Sequence, residues 1–423
     1  MVAMMPLLLR YLDIEGFIIW SIFTTLGGIT LQLERAIQVV SVRDIARPFH
    51  AGNMAALEGV LRRVRRAYFT LSLAVAGPVL LCGLLYINFI LGDKFNQDGL
   101  FDWVIFAGAY ALNYYFGFYN AILLGMERVN IFNNVASITR LINLVATYLL
   151  LKAGLGVLGI CVSFLGSVTV SCISYMQYAN RAVNRYRAKY ANKGANFNDA
   201  GGASGRRIAL YTIYMFSSYL LYRGGLLVAT ALFDKNEVAS YGLSLQVFNL
   251  LLLASIVPTQ VWLGRLVRAI SHGSREEVFR EFCVTGIVSN GVFMAGVVVL
   301  WVFGDTALAI IHSKVILSSN VIMAALTAAF FIELNIYLAA NFLVIKENYS
   351  FVAWYAGSAL VGGVAGALLT FFTRNAVSTL ILAPVLIQAV IALPAVTYFL
   401  LKELDISIGC AFRRLARVSS SRP

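Results

Sequence analysis

The chain has 423 residues, of which 60% are apolar and only 13% are charged. Soluble domains carry about 25% charged residues, so this composition excludes an ordinary soluble enzyme and indicates an integral membrane protein. The net charge of +13, from 33 Lys and Arg against 20 Asp and Glu, predicts basic cytoplasmic loops rather than a nucleic-acid-binding surface. Five scattered cysteines without a CxxC pair, and only three histidines, predict no disulfide framework, no metal site and no cofactor.

Eleven apolar segments reach the length of about 20 residues that a helix needs to cross a bilayer. They lie at 17–40, 67–91, 103–124, 131–151, 157–177, 209–232, 240–264, 282–303, 320–344, 351–372 and 379–401. Before them, MVAMMPLLL at 1–9 is apolar but too short to cross. We interpret it as the end of a truncated first span, with a short interfacial helix as the alternative. The sequence thus predicts an all-α polytopic membrane protein with about 12 transmembrane helices.

The loop charges predict the orientation of these spans. The basic loops are 41–66, 125–130, 178–208, 265–281, 345–350 and 402–423. They hold 24 Lys and Arg, whereas the opposite loops hold six. Because positive charge concentrates on the cytoplasmic side, we expect a multi-pass protein of the cell inner membrane with cytoplasmic N- and C-termini.

The two halves of the chain repeat the same landmarks at an offset near 220 residues. A Leu-Asp-Ile-Glu-Gly-Phe turn at 12–17 resembles 233–242, the start of an amphipathic helix at 50–57 resembles 271–278, and the turn at 124–130 resembles 343–348. In the first amphipathic helix, the apolar face is formed by Met54, Leu57, Leu61 and Val64.

Six spans per half is an even number, so both copies share one orientation, which predicts two parallel six-helix bundles around a central cavity. The expected domains are an N-terminal bundle (1–178), a cytoplasmic linker (179–208), a C-terminal bundle (209–401) and a cytoplasmic tail (402–423). The Gly/Asn/Ala-rich centre of the linker, GANFNDAGGASG, is expected to be mobile.

A specific resemblance rests on the region after the first span. The segment Leu9–Phe17, the basic segment SVRDIAR at 41–47 and the Ala-Gly-Asn at 51–53 resemble the polysaccharide-export branch of the multidrug/oligosaccharidyl-lipid/polysaccharide superfamily. The resemblance covers the chain in span order, with 1–9 interpreted as the end of a truncated first span. It implies a Wzx-type flippase for an undecaprenyl-diphosphate-linked oligosaccharide. Such a substrate serves the biosynthesis of polysaccharides such as lipopolysaccharide and exopolysaccharide.

Polar residues within the spans are the candidate substrate-binding residues, because a charge in a span normally faces a cavity or a partner. Arg140 lies on a polar helical stripe with Asn143, and Arg223 lies one turn after Tyr219. We expect both arginines to bind the diphosphate. The remaining candidates are the glycan-facing Asn113 and Tyr114, and Arg35 at the cytoplasmic mouth of the cavity.

Two further roles stay open at this point. Glu333 is either an ion-coupling carboxylate, for a proton or sodium, or the salt-bridge partner of one arginine. Glu34 and Arg35 are adjacent near the end of the second span, where snorkelling to the lipid headgroups is the alternative to a cavity role.

The function we predict is a flippase and not an enzyme. Its expected partners are the lipid-linked oligosaccharide, membrane lipids, a coupling ion and a polysaccharide polymerase complex, but no nucleic acid. The alternatives are a multidrug cation antiporter of the same superfamily and, less favoured, a membrane-bound glycan polymerase or ligase. The longest external loop, at 304–319, is too short for the catalytic domain of such an enzyme.

Overall fold

The computed structural model of the chain describes residues 4–91, 99–190, 205–272, 275–373 and 377–405, and these residues form helices without a β-strand. The helices are α1 (Met5–Tyr11), α2 (Ile14–His50), α3 (Met54–Tyr86), α4 (Gly99–Gly125), α5 (Val129–Lys152), α6 (Gly156–Tyr190), α7 (Gly205–Leu232), α8 (Lys235–His272), α9 (Arg275–Ile311), α10 (Asn320–Ile345), α11 (Val352–Thr373), α12 (Ser378–Ile387) and α13 (Leu393–Leu404). Two π-helical turns, Ile87–Leu91 and Gln388–Ala392, follow α3 and α12.

The helices coincide with the spans that hydropathy predicts. From 103–124 in α4 to 351–372 in α11, nearly every predicted span lies within one helix, and eight helical segments of the described chain are long and apolar enough to cross a membrane. Apolar helices are expected here, because a backbone inside a bilayer must satisfy its own hydrogen bonds. The prediction of an all-α polytopic membrane protein is therefore confirmed.

The last predicted span, 379–401, is interrupted by a π-helical turn. Pro384 precedes the turn and Pro394 follows it, and a proline removes one backbone donor and crowds the preceding turn of the helix. Helix α11 approaches this region closely, because a Cβ atom on Gly362 would lie 3.0 Å from the Pro384 Cα atom. The span is therefore divided into α12 and α13.

The chain divides into two compact units, Met1–Tyr219 and Leu220–Pro423, and the division falls inside α7. In the first unit α2 packs on α3 and α4, and α6 packs on α4 and α5. In the second unit α8 packs on α9 and α10, and α12 packs on α10 and α11. Of the predicted linker, 179–190 continues α6, whereas 191–204, with nearly all of its Gly/Asn/Ala-rich centre, lies outside the described residues, as do 406–423 of the predicted tail.

The internal repeat is visible in the helix bounds and in one turn. The starts of α2 and α8, of α3 and α9, and of α4 and α10 each lie 221 residues apart. After α4 and α10 the chain leaves the helix through a left-handed residue, Glu127 (φ 57°) and Glu347 (φ 59°). In both turns the residue that follows donates its N–H back to the helix, over 2.7 Å from Arg128 to Leu123 and 2.9 Å from Asn348 to Leu343. This is the hydrogen-bond pattern of a Schellman helix end.

The beginning of α3 is the amphipathic helix that the sequence predicts. Met54, Leu57 and Val64 are buried in one apolar cluster with residues of α2, α4 and α6, and Leu61 packs against that cluster. Asn53 caps the helix, since its side chain accepts the Ala56 N–H at 3.0 Å. The predicted apolar face is thus confirmed, and it fixes α3 against the ends of its neighbours.

Helix α6 extends past its predicted span and packs on the turn between α2 and α3. The Tyr186 hydroxyl donates to the carbonyl oxygens of Phe49 (2.8 Å) and Pro48 (3.2 Å). Burial raises the pKa of Tyr186 above its ordinary value, so the hydroxyl stays protonated and keeps donating. One helical turn further, Tyr190 lies against Gly52, whose φ of 69° suits glycine.

Candidate functional site: polar residues within the spans

A buried carboxylate lies inside the first unit. Glu34 on α2 is 6% exposed, and its Oε2 accepts a hydrogen bond of 3.0 Å from Asn113 Nδ2 on α4. One turn along α4, Gly117 leaves the space that the carboxylate occupies, because a Cβ atom there would lie 2.6 Å from Glu34 Oε1. The snorkelling alternative is therefore wrong for Glu34. The packing of α2 on α4 holds its side chain inside the first unit, away from the lipid headgroups.

Two tyrosines lie beside this carboxylate. The rings of Tyr68 on α3 and Tyr114 on α4 have their centres 6.3 Å apart, and both rings are buried. The Tyr114 hydroxyl is also buried and has no hydrogen-bond partner among the described residues. We call Glu34, Tyr68, Asn113 and Tyr114 the Glu34 cluster. It unites two of the predicted site residues with two residues that sequence reasoning did not assign to a site.

The polar stripe of α5 lies near the same cluster. Arg140 is exposed on the first unit, and the Oδ1 atom of Asn143, one turn later, is buried without a hydrogen-bond partner in the described chain. Tyr175 of α6 links α5 to the cluster, since its hydroxyl donates to the Phe132 carbonyl at 3.4 Å and its ring is buried in one apolar cluster with Tyr68 and Tyr114. The first unit therefore combines a guanidinium, a carboxylate, two amides and several phenols in one region.

In the second unit, the predicted site residue Arg223 lies on α7. Its side chain is partly exposed, while its Nε atom is buried and has no hydrogen-bond partner among the described residues. The hydroxyl of Tyr241 on α8 lies against the α7 backbone, 2.9 Å from where a Cβ atom of Gly225 would be. Tyr222, next to Arg223, points to α10 and donates to the Ala329 carbonyl at 3.4 Å.

Glu333 is the buried carboxylate of the second unit. It is 4% exposed, and its Oε2 accepts a hydrogen bond of 2.9 Å from the Tyr355 hydroxyl on α11. Among the described residues Arg223 forms no salt bridge with it. The alternative in which Glu333 neutralises Arg223 is thus absent from this structure, and Tyr355 is the partner that the sequence did not reveal.

Tyr219 and Arg35 are the two remaining predicted site residues. The Tyr219 hydroxyl donates to two successive carbonyl oxygens of α2, those of Thr24 (3.0 Å) and Thr25 (2.9 Å). Its ring lies directly over Gly28, where any side chain would collide with it. The side chain of Arg35 lies outside the described residues. No group of three His, Cys, Asp or Glu residues that could hold a metal ion occurs in the described ranges.

Comparison with known proteins identifies the fold. No protein-family model and no curated protein sequence matches the chain. Among solved structures, it is similar to an inward-facing multidrug resistance transporter of the MATE family, within the MOP superfamily, with a TM-score of 0.65 and 12% identity over 99% of this chain and 94% of that one. It is also similar to the lipid II flippase MurJ in an inward closed conformation, with a TM-score of 0.56 and 11% identity over 99% of this chain and 89% of that one.

A third similar structure is a MOP superfamily transporter from Pyrococcus furiosus, with a TM-score of 0.53 and 13% identity over 98% of each chain. At such low identity these likenesses establish the fold alone. The chain is a multi-pass membrane protein with the fold of MOP superfamily transporters.

Proposed function

We propose that the protein is a flippase that moves an undecaprenyl-diphosphate-linked oligosaccharide across the bacterial inner membrane by alternating access. The cargo would be a repeat unit of O-antigen, capsule or exopolysaccharide, as the Wzx-type resemblance implies. The fold shared with a lipid II flippase supports movement of a lipid-linked cargo. We also propose that both termini are cytoplasmic, in line with the excess of Lys and Arg in the loops on that side.

The observation that carries this proposal is that two arginines lie within apolar spans without an acidic partner among the described residues. Arg140 and Arg223 lie within apolar spans, and neither forms a salt bridge among the described residues. An arginine in the centre of a membrane costs about 3 kcal/mol or more. A phosphate group offsets that cost, because the guanidinium donates two parallel hydrogen bonds to it. We assign each arginine to the diphosphate of the cargo, with Arg35 as a further cationic contact.

The uncharged polar groups are assigned to the glycan. Asn113, Tyr114, Asn143 and Tyr219 offer amides and aromatic rings, to which sugar hydroxyls and sugar faces bind. Glu333 is proposed as the ion-coupling carboxylate, because a carboxylate buried within a span can exchange a proton or a sodium ion as its surroundings change. A polysaccharide polymerase complex is the proposed recipient of the translocated unit.

Glycan export by single variants tests the proposal. Arg140→Ala and Arg223→Ala are each expected to stop export of the glycan with protein levels intact, because the diphosphate loses a cationic partner inside the membrane. The matched control is Arg280→Ala, which removes an exposed arginine outside the predicted spans. Lysine at either site is expected to restore only part of the export, since it keeps the charge without the planar fork.

Normal export by both alanine variants would overturn this assignment. The second candidate, a multidrug cation antiporter, is favoured by the two buried carboxylates, Glu34 and Glu333, which suit a cationic cargo. Efflux of a cationic dye by vesicles containing the protein, lost in Glu34→Gln or Glu333→Gln, together with no movement of a glycan lipid, would establish that function instead.

A further inference from the structure

One face of α3 changes abruptly from charged to apolar along its length. Arg62, Arg63, Arg65 and Arg66 are all exposed. Beyond them, α3 and the π-helical turn that follows it carry large apolar residues that are each more than half exposed. Phe69 and Leu73 lie on the face of Arg62 and Arg66, and Leu81, Leu85 and Phe89 follow further along. From Phe69 to Phe89 this apolar row is about 30 Å long, which equals the thickness of the hydrocarbon core of a bilayer. The four arginines therefore lie at the level of the lipid headgroups.

Helix α6 also changes from exposed apolar to exposed charged residues, towards its C-terminal end. Its exposed apolar residues, among them Val170 and Ile173, give way to Tyr178 and then to exposed Arg181 and Arg185. The Arg181 guanidinium lies 6.0 Å from the centre of the Tyr178 ring, an arrangement typical of the membrane interface.

A salt bridge between α3 and α6 shows that the basic segments of these two helices lie at a similar height along the helix axes. Both Nε and Nη2 of Arg187 on α6 donate to Glu58 Oε1 on α3, at 3.1 and 2.9 Å. Arg62 lies one turn from Glu58, and Arg185 lies two residues from Arg187. Glu58 thus already binds an arginine of α6. We call Arg62, Arg65, Arg66, Arg181 and Arg185 the arginine collar.

The second copy of the repeat lacks this feature. Helix α9 corresponds to α3 at an offset of 221 residues, and the positions equivalent to the four arginines of α3 are the uncharged Cys283, Val284, Gly286 and Ile287. Nearer its start, Arg275 pairs with Asp405, and Arg280 lies 3.8 Å from Glu281. The four exposed arginines of α3 are therefore specific to the first copy of the repeat.

We propose that the arginine collar is a binding site for the phosphate groups of anionic phospholipids in the cytoplasmic leaflet. Each basic residue near an anionic membrane surface contributes about 1 kcal/mol to such binding, and the collar places five of them near one level of the membrane. The exposed apolar row of α3 accommodates the acyl chains of the same lipids. This site is independent of the glycan carrier function, because it requires no transported cargo.

Lipid retention by the purified full-length protein tests the proposal. The protein is placed in nanodiscs of equimolar phosphatidylglycerol and phosphatidylcholine, and the lipids that remain bound after detergent extraction are counted by native mass spectrometry. The wild type is expected to retain phosphatidylglycerol preferentially. Arg62→Gln with Arg66→Gln is expected to lower that preference about fivefold or more. Arg62→Lys with Arg66→Lys is expected to keep most of it and also reports on folding.

The matched control is Arg275→Gln with Arg280→Gln, which removes the same net charge from the second copy and is expected to leave lipid retention unchanged. A high salt concentration is expected to weaken the preference of the wild type, and this measurement needs no variant. Added inorganic phosphate is expected not to displace the lipid, whereas displacement would identify a general anion site. Equal retention of the two lipids by the wild type, or an equal loss in the control variant, would overturn the proposal.

Discussion

Glu34 illustrates how a charged residue inside an apolar helix is placed by its neighbours. Its carboxylate is held by the Asn113 amide at 3.0 Å, and the absence of a side chain at Gly117 leaves room for it and for the Tyr68 ring. A buried polar group without such a partner costs several kcal/mol in a bilayer. Gly117 and Asn113, one turn apart on α4, thus together accommodate the Glu34 carboxylate.

The stability of this arrangement can be tested at Gly117. A Cβ atom at this position would lie 2.6 Å from Glu34 Oε1 and 2.9 Å from Tyr68 Cε1, so Gly117→Ala is expected to destabilise the protein by about 1–3 kcal/mol. The measurement is thermal unfolding of the purified protein in detergent. Gly108→Ala on the same helix is the control, because no atom lies within 4 Å of its Cβ position. Equal melting temperatures of the two variants would contradict the packing described for the Glu34 cluster.

At the scale of elements, the stretch 21–28 in the first half of α2 combines hydroxyl-bearing residues with two glycines. The hydroxyls of Thr24 and Thr25 both donate to the Ser21 carbonyl, at 3.0 and 2.8 Å, and Gly27 and Gly28 follow. Hydroxyls that bond to the preceding turn tend to bend a helix, and glycines add flexibility. Tyr219 of α7 supports this section, because its hydroxyl donates to two of its carbonyl oxygens.

Loss of that support is expected to loosen α2 locally. In Tyr219→Phe the carbonyls of Thr24 and Thr25 lose a donor, which is expected to cost about 1 kcal/mol and to speed hydrogen exchange of the backbone amides from 24 to 30. Exchange is followed by mass spectrometry of peptides from α2. Tyr222→Phe, whose hydroxyl bonds to Ala329 in the second unit, is the control and is expected to leave α2 unchanged. Unchanged exchange in both variants would show that Tyr219 does not support α2.

At the scale of the whole molecule, the two units repeat helix lengths and turns but not their polar residues. Glu34 bonds to Asn113 in the first unit, whereas Glu333, on the helix equivalent to that of Asn113, bonds to Tyr355 in the second. Four exposed arginines of α3 occur in the first unit, and their equivalent positions in the second are uncharged. The repeat therefore supplies the framework, while each copy has acquired its own chemistry.

The orientation of the whole molecule can be checked by labelling with a membrane-impermeant maleimide. After replacement of the five native cysteines, a cysteine at Lys314 is expected to react in intact cells, and a cysteine at Asn184 only after permeabilisation. The reason is the excess of Lys and Arg in the loops on the Asn184 side, 24 against six. Both positions are exposed, so access across the membrane is the difference measured. The opposite labelling pattern would reverse the predicted orientation.

The sequence by itself determined the membrane class, the spans, the internal repeat and the amphipathic start of α3. These features depend on hydropathy, charge and the 3.6-residue period, which are local properties of the chain. The tertiary structure alone decided which polar groups meet, such as Glu34 with Asn113, 79 positions apart, and Tyr219 with the carbonyls of α2. Such contacts depend on how each helix is rotated and packed against its neighbours. In apolar spans many rotations satisfy the same hydropathy pattern, so packing selects among them.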